Sequence, residues 1–174
     1  MPTEIESRVL KLLSAIEIKP DAAQLIESWG NEAVTVACDA AMGSFPGLRP
    51  KVRNNAAALV GRMTAPQAKE TLTILIRDAN PDVAIRAIRA SAVKKDPSTI
   101  PSLAQLLNSS TSGAVVAAEA VKALKAIGTS EAKSILSAYD SADPVAIPHR
   151  GSKVVIQQCS QTLEAQICRG PPYL

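Results

Sequence analysis

Aromatic and histidine side chains are scarce in this chain. Its 174 residues include one Trp, one Phe, two Tyr and one His. Because base stacking needs aromatic side chains, a nucleic-acid groove here would depend on salt-sensitive phosphate contacts. The single histidine, His149, excludes a zinc site built from two histidines of one chain and leaves one candidate for a histidine-dependent triad. We therefore expect no catalytic residue, no metal site and no cofactor.

Cysteines and long apolar runs are also few. The three cysteines, Cys38, Cys159 and Cys168, form no C-x-x-C pair and are odd in number, so a disulfide framework is not expected. No stretch approaches the roughly 18 consecutive apolar residues of a membrane span. The N-terminal residues include the acidic Glu4 and Glu6 and lack the apolar region of a secretory signal peptide. These features predict a cytoplasmic protein without a membrane partner.

Alanine, in contrast, is abundant. The chain has 29 alanines, and 47% of its residues are hydrophobic while 20% are charged. Alanine is the best helix former and lets helix backbones approach closely, so this composition predicts layers of packed helices. The length fits one domain that spans residues 1–174.

An internal repeat organises most of the sequence. One small-residue slot recurs at offsets of 31, 33 and 39 residues, at Ala56, Ala87, Ala120 and Cys159. A preceding apolar pattern recurs at offsets of 31 and 32 residues, at Leu72, Leu103 and Ile135. Periods of about 20 to 50 residues are typical of solenoids, in which each repeat is one supersecondary unit. Each unit is therefore predicted to be a pair of helices.

Apolar spacing and cap residues predict ten helices along the chain. Their predicted ranges are 3–17, 21–29, 31–43, 50–63, 66–78, 81–95, 98–109, 113–127, 129–140 and 150–168.

The second helix of each unit carries a recognisable pattern, clearest at Val52-Arg53, Ala56, Leu59 and Gly61. This pattern resembles the HEAT repeat family in its short prokaryotic form, the type found in phycobilisome lyases. The resemblance implies an all-α fold, a right-handed α-solenoid of stacked antiparallel helix pairs whose second helices line a concave surface. The family usually has arginine where Ala84 and Ala117 stand, so an Asp–Arg ladder between units is not expected to be continuous.

The repeat also predicts how the domain is divided. We expect a divergent N-terminal cap, four helix-pair repeats and a short tail, at residues 1–30, 31–63, 65–95, 97–127, 129–166 and 167–174. Terminal units of solenoids commonly act as caps that cover the exposed end of the stack.

Charge is concentrated in the middle of the sequence. Residues 49–95 hold ten basic and three acidic side chains, a net charge of +7, whereas residues 1–48 have a net charge of −4. The predicted partner-binding residues are Arg53, Asn55, Arg86, Arg89, Lys122, Lys125, His149, Arg150 and Gln158. They would form a basic stripe along the second helices and the loop at 141–152. The alternative is that Arg53 and Arg86 pair with Asp78 and Asp82 and that the other cations form an ordinary solvated face.

These features favour a non-catalytic module that binds a protein with an acidic surface. An adaptor, an accessory protein of an enzyme and an immunity-type inhibitor all fit, and the chain would be a monomer or a weak dimer. One alternative is nucleic-acid binding by the basic middle segment. Another is a HEAT-like enzyme or subunit of the lyase or glycosylase type, for which His149 in the 141–152 loop is the candidate nucleophile site.

Overall fold

The computed structural model describes residues 2–15, 19–109 and 113–141, and this part of the chain is all helical, without a strand. The helices are α1 Glu4–Leu13, α2 Ala22–Ser28, α3 Asn31–Met42, α4 Pro50–Val60, α5 Pro66–Leu75, α6 Pro81–Lys94, α7 Ile100–Asn108, α8 Ala114–Ile127 and α9 Ser130–Ser141. A 3-10 turn at Pro97–Thr99 precedes α7. None of these helices is long and apolar enough to cross a bilayer. The expectation of an all-α fold is confirmed.

Each of the first nine predicted helices corresponds to an observed helix, with differences at the ends. The first helix, predicted to reach residue 17, ends at Leu13, and Ser14 serves as its C-cap. The helix predicted at 98–109 is divided, because the 3-10 turn occupies Pro97–Thr99 and Pro101 supplies the first turn of α7. The predicted helix at 150–168 lies outside the described residues.

Proline and glycine mark several helix boundaries in the way the sequence indicates. Helices α4, α5 and α6 begin at Pro50, Pro66 and Pro81, where the missing proline N–H costs no helix hydrogen bond. The Asn80 side chain accepts a hydrogen bond of 3.0 Å from the Asp82 amide and so caps α6. Helix α8 is followed by its C-cap Gly128, whose φ of 70° is a left-handed conformation that favours glycine.

The helices pack as pairs in two layers. Helix α4 contacts α6 and α6 contacts α8, and these three form what we call the second-helix layer. On the other side, α3 contacts α5 and α7 contacts α9, and within each pair α3 meets α4, α5 meets α6 and α7 meets α8. At the N-terminal end, α1 and α2 both contact α3 and α4. This arrangement is an α-solenoid; the right-handed sense of its superhelix stays a prediction.

The small-residue slot of the repeat lies where neighbouring second helices meet. Ala56, Ala87 and Ala120 are completely buried, as the repeat predicts. Just after α4, Gly61 lies against α6, and an added Cβ there would lie 2.3 Å from the Cβ of Ala90. Small side chains therefore set the spacing of the second-helix layer.

Candidate functional site

Helix α6 presents one charged face to solvent. Its exposed positions recur every three or four residues, at Asp82, Arg86, Arg89 and Val93. The opposite side of the helix is buried among the core residues. This spacing places all four exposed side chains on one stripe of the helix.

A groove of about 640 Å³ lies between α4 and α6, beside this stripe. Its lining includes the small residues Ala58, Gly61 and Ala90, and Asn54, whose buried Oδ1 lacks a hydrogen-bond partner among the described residues. Its charged lining consists of Arg62, Arg86, Arg89, Lys94 and Asp82, four cations against one carboxylate. The groove is therefore strongly cationic.

Two of these cations are unpaired. The side chains of Arg86 and Arg62 are exposed and make no hydrogen bond or ion pair with any described residue. The pairing of Arg86 with Asp82, offered above as the alternative, is not among the ion pairs of the described residues. Both guanidinium groups are thus available to an anion from outside.

Arg89 and Lys122 share one carboxylate. Arg89 Nε lies 3.0 Å from Glu119 Oε2, and Lys122 Nζ lies 2.9 Å from Glu119 Oε1. The Glu119 side chain is 12% exposed, whereas those of Arg89 and Lys122 are 65% and 71% exposed. The hydrogen bonds from Arg89 and Lys122 hold the pKa of Glu119 below its ordinary value. Glu119 therefore orients both cations along α6 and α8 and leaves this cluster with one net positive charge.

Arg53 is used inside the solenoid. Its Nη2 lies 2.5 Å from Asp78 Oδ2, and its Nε donates a hydrogen bond of 3.0 Å to the carbonyl of Ala41. A second donation, of 3.3 Å, goes to the carbonyl of Met42 at the end of α3. Arg53 thus closes the C-terminus of α3 and ties it to the turn before α6. For Arg53, the structure therefore shows the alternative in which it pairs with Asp78.

The expected interruption of the Asp–Arg ladder is observed within the described residues. Ala84 and Ala117, at the positions that correspond to Arg53, are buried and carry no charge. The ion pair between Arg53 and Asp78 is therefore the single Asp–Arg pair of the ladder in the part of the chain that the structure describes.

Asn55 also serves a neighbouring helix. Its Nδ2 donates hydrogen bonds of 2.9 Å to the carbonyl of Leu13 and 3.3 Å to the carbonyl of Ala15. These carbonyls lie at the end of α1, where the helix leaves acceptors unsatisfied. Of the nine residues predicted to bind a partner, Arg53 and Asn55 have intramolecular partners that account for their positions.

The other predicted residues divide into two groups. Lys125 is exposed in the last turn of α8, where a cation interacts favourably with the helix dipole. His149, Arg150 and Gln158 lie outside the described residues. Among the residues that are described, no group of three or more His, Cys, Asp or Glu side chains is arranged to hold a metal ion.

Two residues of the groove, Arg62 and Val93, were not identified from the sequence. Arg62 follows Gly61 at the end of α4, and Val93 is 84% exposed at the end of the α6 stripe. Lys94 donates a hydrogen bond from Nζ to the carbonyl of Met63, and burial lowers its pKa. The spacing of Val93 from Arg89 and Arg86 could have identified it, since these positions share one helix face.

Comparison with known proteins agrees with this architecture. Residues 70–147 match the family model of HEAT repeats, so this stretch of the chain is similar to HEAT repeats. HEAT repeats generally mediate protein–protein interactions, and such scaffolds are typically non-enzymatic. No curated protein matches the chain.

Proposed function

We propose that this chain is a non-catalytic binding module that captures an acidic protein partner through what we call the cationic face, formed by Arg62, Arg86, Arg89, Lys122 and Lys125. The observation that carries the proposal is that Arg62 and Arg86, beside one groove, have no anionic partner within the described residues. An acidic partner would supply the missing carboxylates.

The helical scaffold supports such a role because it holds the cations in place before binding. Arg86 and Arg89 lie on α6, which is packed between α4 and α8. Glu119 further orients Arg89 and Lys122 through hydrogen bonds. A surface that is ordered in advance loses little conformational entropy on binding, so more of the contact energy appears as affinity.

The aromatic residues of the described chain favour a protein partner over a nucleic acid. Trp29 lies under the guanidinium of Arg8, whose Cζ is 4.0 Å from the ring centroid. Phe45 packs against the core and Tyr139 is buried in α9. None of these three rings lines the groove, so it offers no platform for base stacking.

Compared with the sequence expectation, the proposal keeps Arg86, Arg89, Lys122 and Lys125 and adds Arg62. His149, Arg150 and Gln158 stay predictions. The roles of adaptor, accessory protein and immunity-type inhibitor all remain compatible with it, as does a monomer or weak dimer. The buried free thiol of Cys38 favours the cytoplasm as its location.

Affinity capture from nuclease-treated lysate of the native cell tests the proposal. The bait is the full chain beside its Arg62→Glu, Arg86→Glu double variant. We chose these two residues because their side chains make no hydrogen bond or ion pair with the described residues that the reversal would break, whereas Arg89→Glu would also disrupt the ion pair with Glu119. We expect a dominant acidic protein that the wild type retains and the double variant loses.

The matched control is the Lys69→Glu, Lys133→Glu double variant. It changes the net charge by the same amount, and both lysines are exposed on first helices, α5 and α9. Retention of the same protein by both double variants would contradict the proposal. Enrichment that occurs only in a parallel lysate without nuclease would support nucleic-acid binding in its place.

A further inference from the structure

The groove between α4 and α6 combines charge with apolar surface. Beside the cations, its lining contains Ile85 and Val93, and Val93 is 84% exposed. Val93 and Arg89 are four residues apart on one face of α6, so an apolar and a cationic contact lie side by side. A single occupant that satisfies both must carry carboxylates next to an apolar side chain.

The shape of the groove restricts the occupant further. At about 640 Å³, it falls within the range of about 300 to 1,000 Å³ that is usual for pockets of small ligands. Gly61 and Ala90, which line the groove, are in close contact, since a Cβ added to Gly61 would lie 2.3 Å from the Cβ of Ala90. An occupant therefore rests on these small residues, between the longer side chains of Arg62, Arg86 and Val93, and does not pass between the helices.

Resting on the proposed function, we infer that the groove binds a short linear segment of the partner protein in which acidic residues flank one apolar side chain. The carboxylates bind Arg62 and Arg86, and the apolar side chain packs on Ile85 and Val93. Charge complementarity selects the acidic segment, since the four cations of the groove face one acidic residue, Asp82. The exposed valine supplies specificity that charge alone lacks.

Fluorescence anisotropy with the purified full chain tests this inference. The probes are a labelled peptide in which glutamates flank one leucine, the same peptide with serine in place of leucine, and an oligothymidine of similar charge. We expect the leucine peptide to bind at least about fivefold more tightly than the serine peptide, because an apolar side chain is buried. Arg86→Ala should weaken the binding of the leucine peptide about tenfold.

Val93→Ser is the decisive variant, and Lys133→Ala is its control. Val93 is mostly in water, so its replacement leaves the fold intact, which circular dichroism verifies. The preference for leucine over serine should fall to nearly one in Val93→Ser and persist in Lys133→Ala. Equal binding of the two peptides, a preference that survives Val93→Ser, no peptide binding, or equally tight oligothymidine binding would each overturn the inference.

The outcome is separable from that of the proposed function. If the captured partner depends on Arg62 and Arg86 but the leucine peptide shows no preference, the cationic face binds an acidic surface and the linear-segment inference is wrong. If neither capture nor peptide binding depends on Arg86, both are wrong.

Discussion

At the scale of single residues, two arginines of the second helices have opposite roles. Arg53 and Arg86 each lie early in a second helix, and the sequence allowed either to pair internally or to bind a partner. Arg53 meets Asp78, which is 25 residues away in sequence, and the end of α3. Arg86 meets no acceptor. The two arginines occupy different positions of the repeat, since Arg53 corresponds to Ala84 and Arg86 to Asn55. Which acceptor lies opposite each position depends on how the helices pack, and the sequence did not give that packing.

This difference predicts unequal effects on stability. Arg53→Ala should lower the free energy of unfolding by about 2 to 3 kcal/mol, because it removes an ion pair and two hydrogen bonds to helix-end carbonyls. Arg86→Ala should change it by less than about 0.5 kcal/mol, as is usual for exposed residues without contacts. Urea unfolding followed by circular dichroism measures both. Equal effects of the two substitutions would contradict these assignments.

Glu27 gives a second residue-scale prediction, which depends on pH. Its Oε1 accepts hydrogen bonds from the Thr64 amide at 2.6 Å, the Thr64 hydroxyl at 3.0 Å and the Ala65 amide at 2.9 Å, just before α5. Burial acts to raise the pKa of Glu27, but the hydrogen bonds from Thr64 and Ala65 outweigh it, and the net pKa is lowered. The carboxylate therefore stabilises the fold above its unfolded-state pKa, and this contribution is lost as the pH falls through the folded-state pKa.

Glu27→Gln should accordingly destabilise the protein by about 1 to 2 kcal/mol at about pH 7, and the difference from wild type should become smaller as the pH is lowered to about 3, because protonation removes the charge of Glu27. Urea unfolding at both pH values measures this change. Glu70→Gln, at an exposed position of α5 without a hydrogen bond, is the control and should have little effect at either pH. A destabilisation by Glu27→Gln that stays constant with pH would show that its charge is not responsible.

At the scale of helices, most boundaries could be predicted because they depend on local chemistry. The prolines at the start of α4, α5 and α6 fix φ at a helical value in any tertiary context. Gly128, which follows α8, tolerates the left-handed conformation that ends a helix. The division of the helix predicted at 98–109 was missed. There, Pro97 and Pro101 lie close together and favour a short 3-10 turn before α7.

The spacing of α4 and α6 gives a prediction at this scale. Gly61→Ala should destabilise the protein by about 1 to 3 kcal/mol, because its new methyl group would overlap the Ala90 side chain. Gly113→Ala is the matched control, since nothing lies within 4 Å of an added Cβ there and φ is −65°. Thermal unfolding compares the two. A neutral Gly61→Ala would show that the two helices can separate without loss.

At the scale of the whole molecule, the repeat could be predicted from the sequence, whereas the groove between α4 and α6 could not. The buried slot of Ala56, Ala87 and Ala120 follows from helical periodicity, since each copy must bury the same stripe against its neighbour. The groove requires knowing that the end of α4 faces the end of α6. Arg62 and Val93 were therefore not predicted to belong to a binding site.

The central claim is that the unpaired cations beside this groove bind an acidic protein. The most direct measurement is isothermal titration calorimetry of the captured partner with three forms of the chain. These are the wild type, the double variant Arg62→Glu, Arg86→Glu and the control double variant Lys69→Glu, Lys133→Glu. We predict that affinity falls at least about a hundredfold in the Arg62, Arg86 double variant and stays within about twofold in the control. Equal loss in both double variants, or in neither, would contradict the claim.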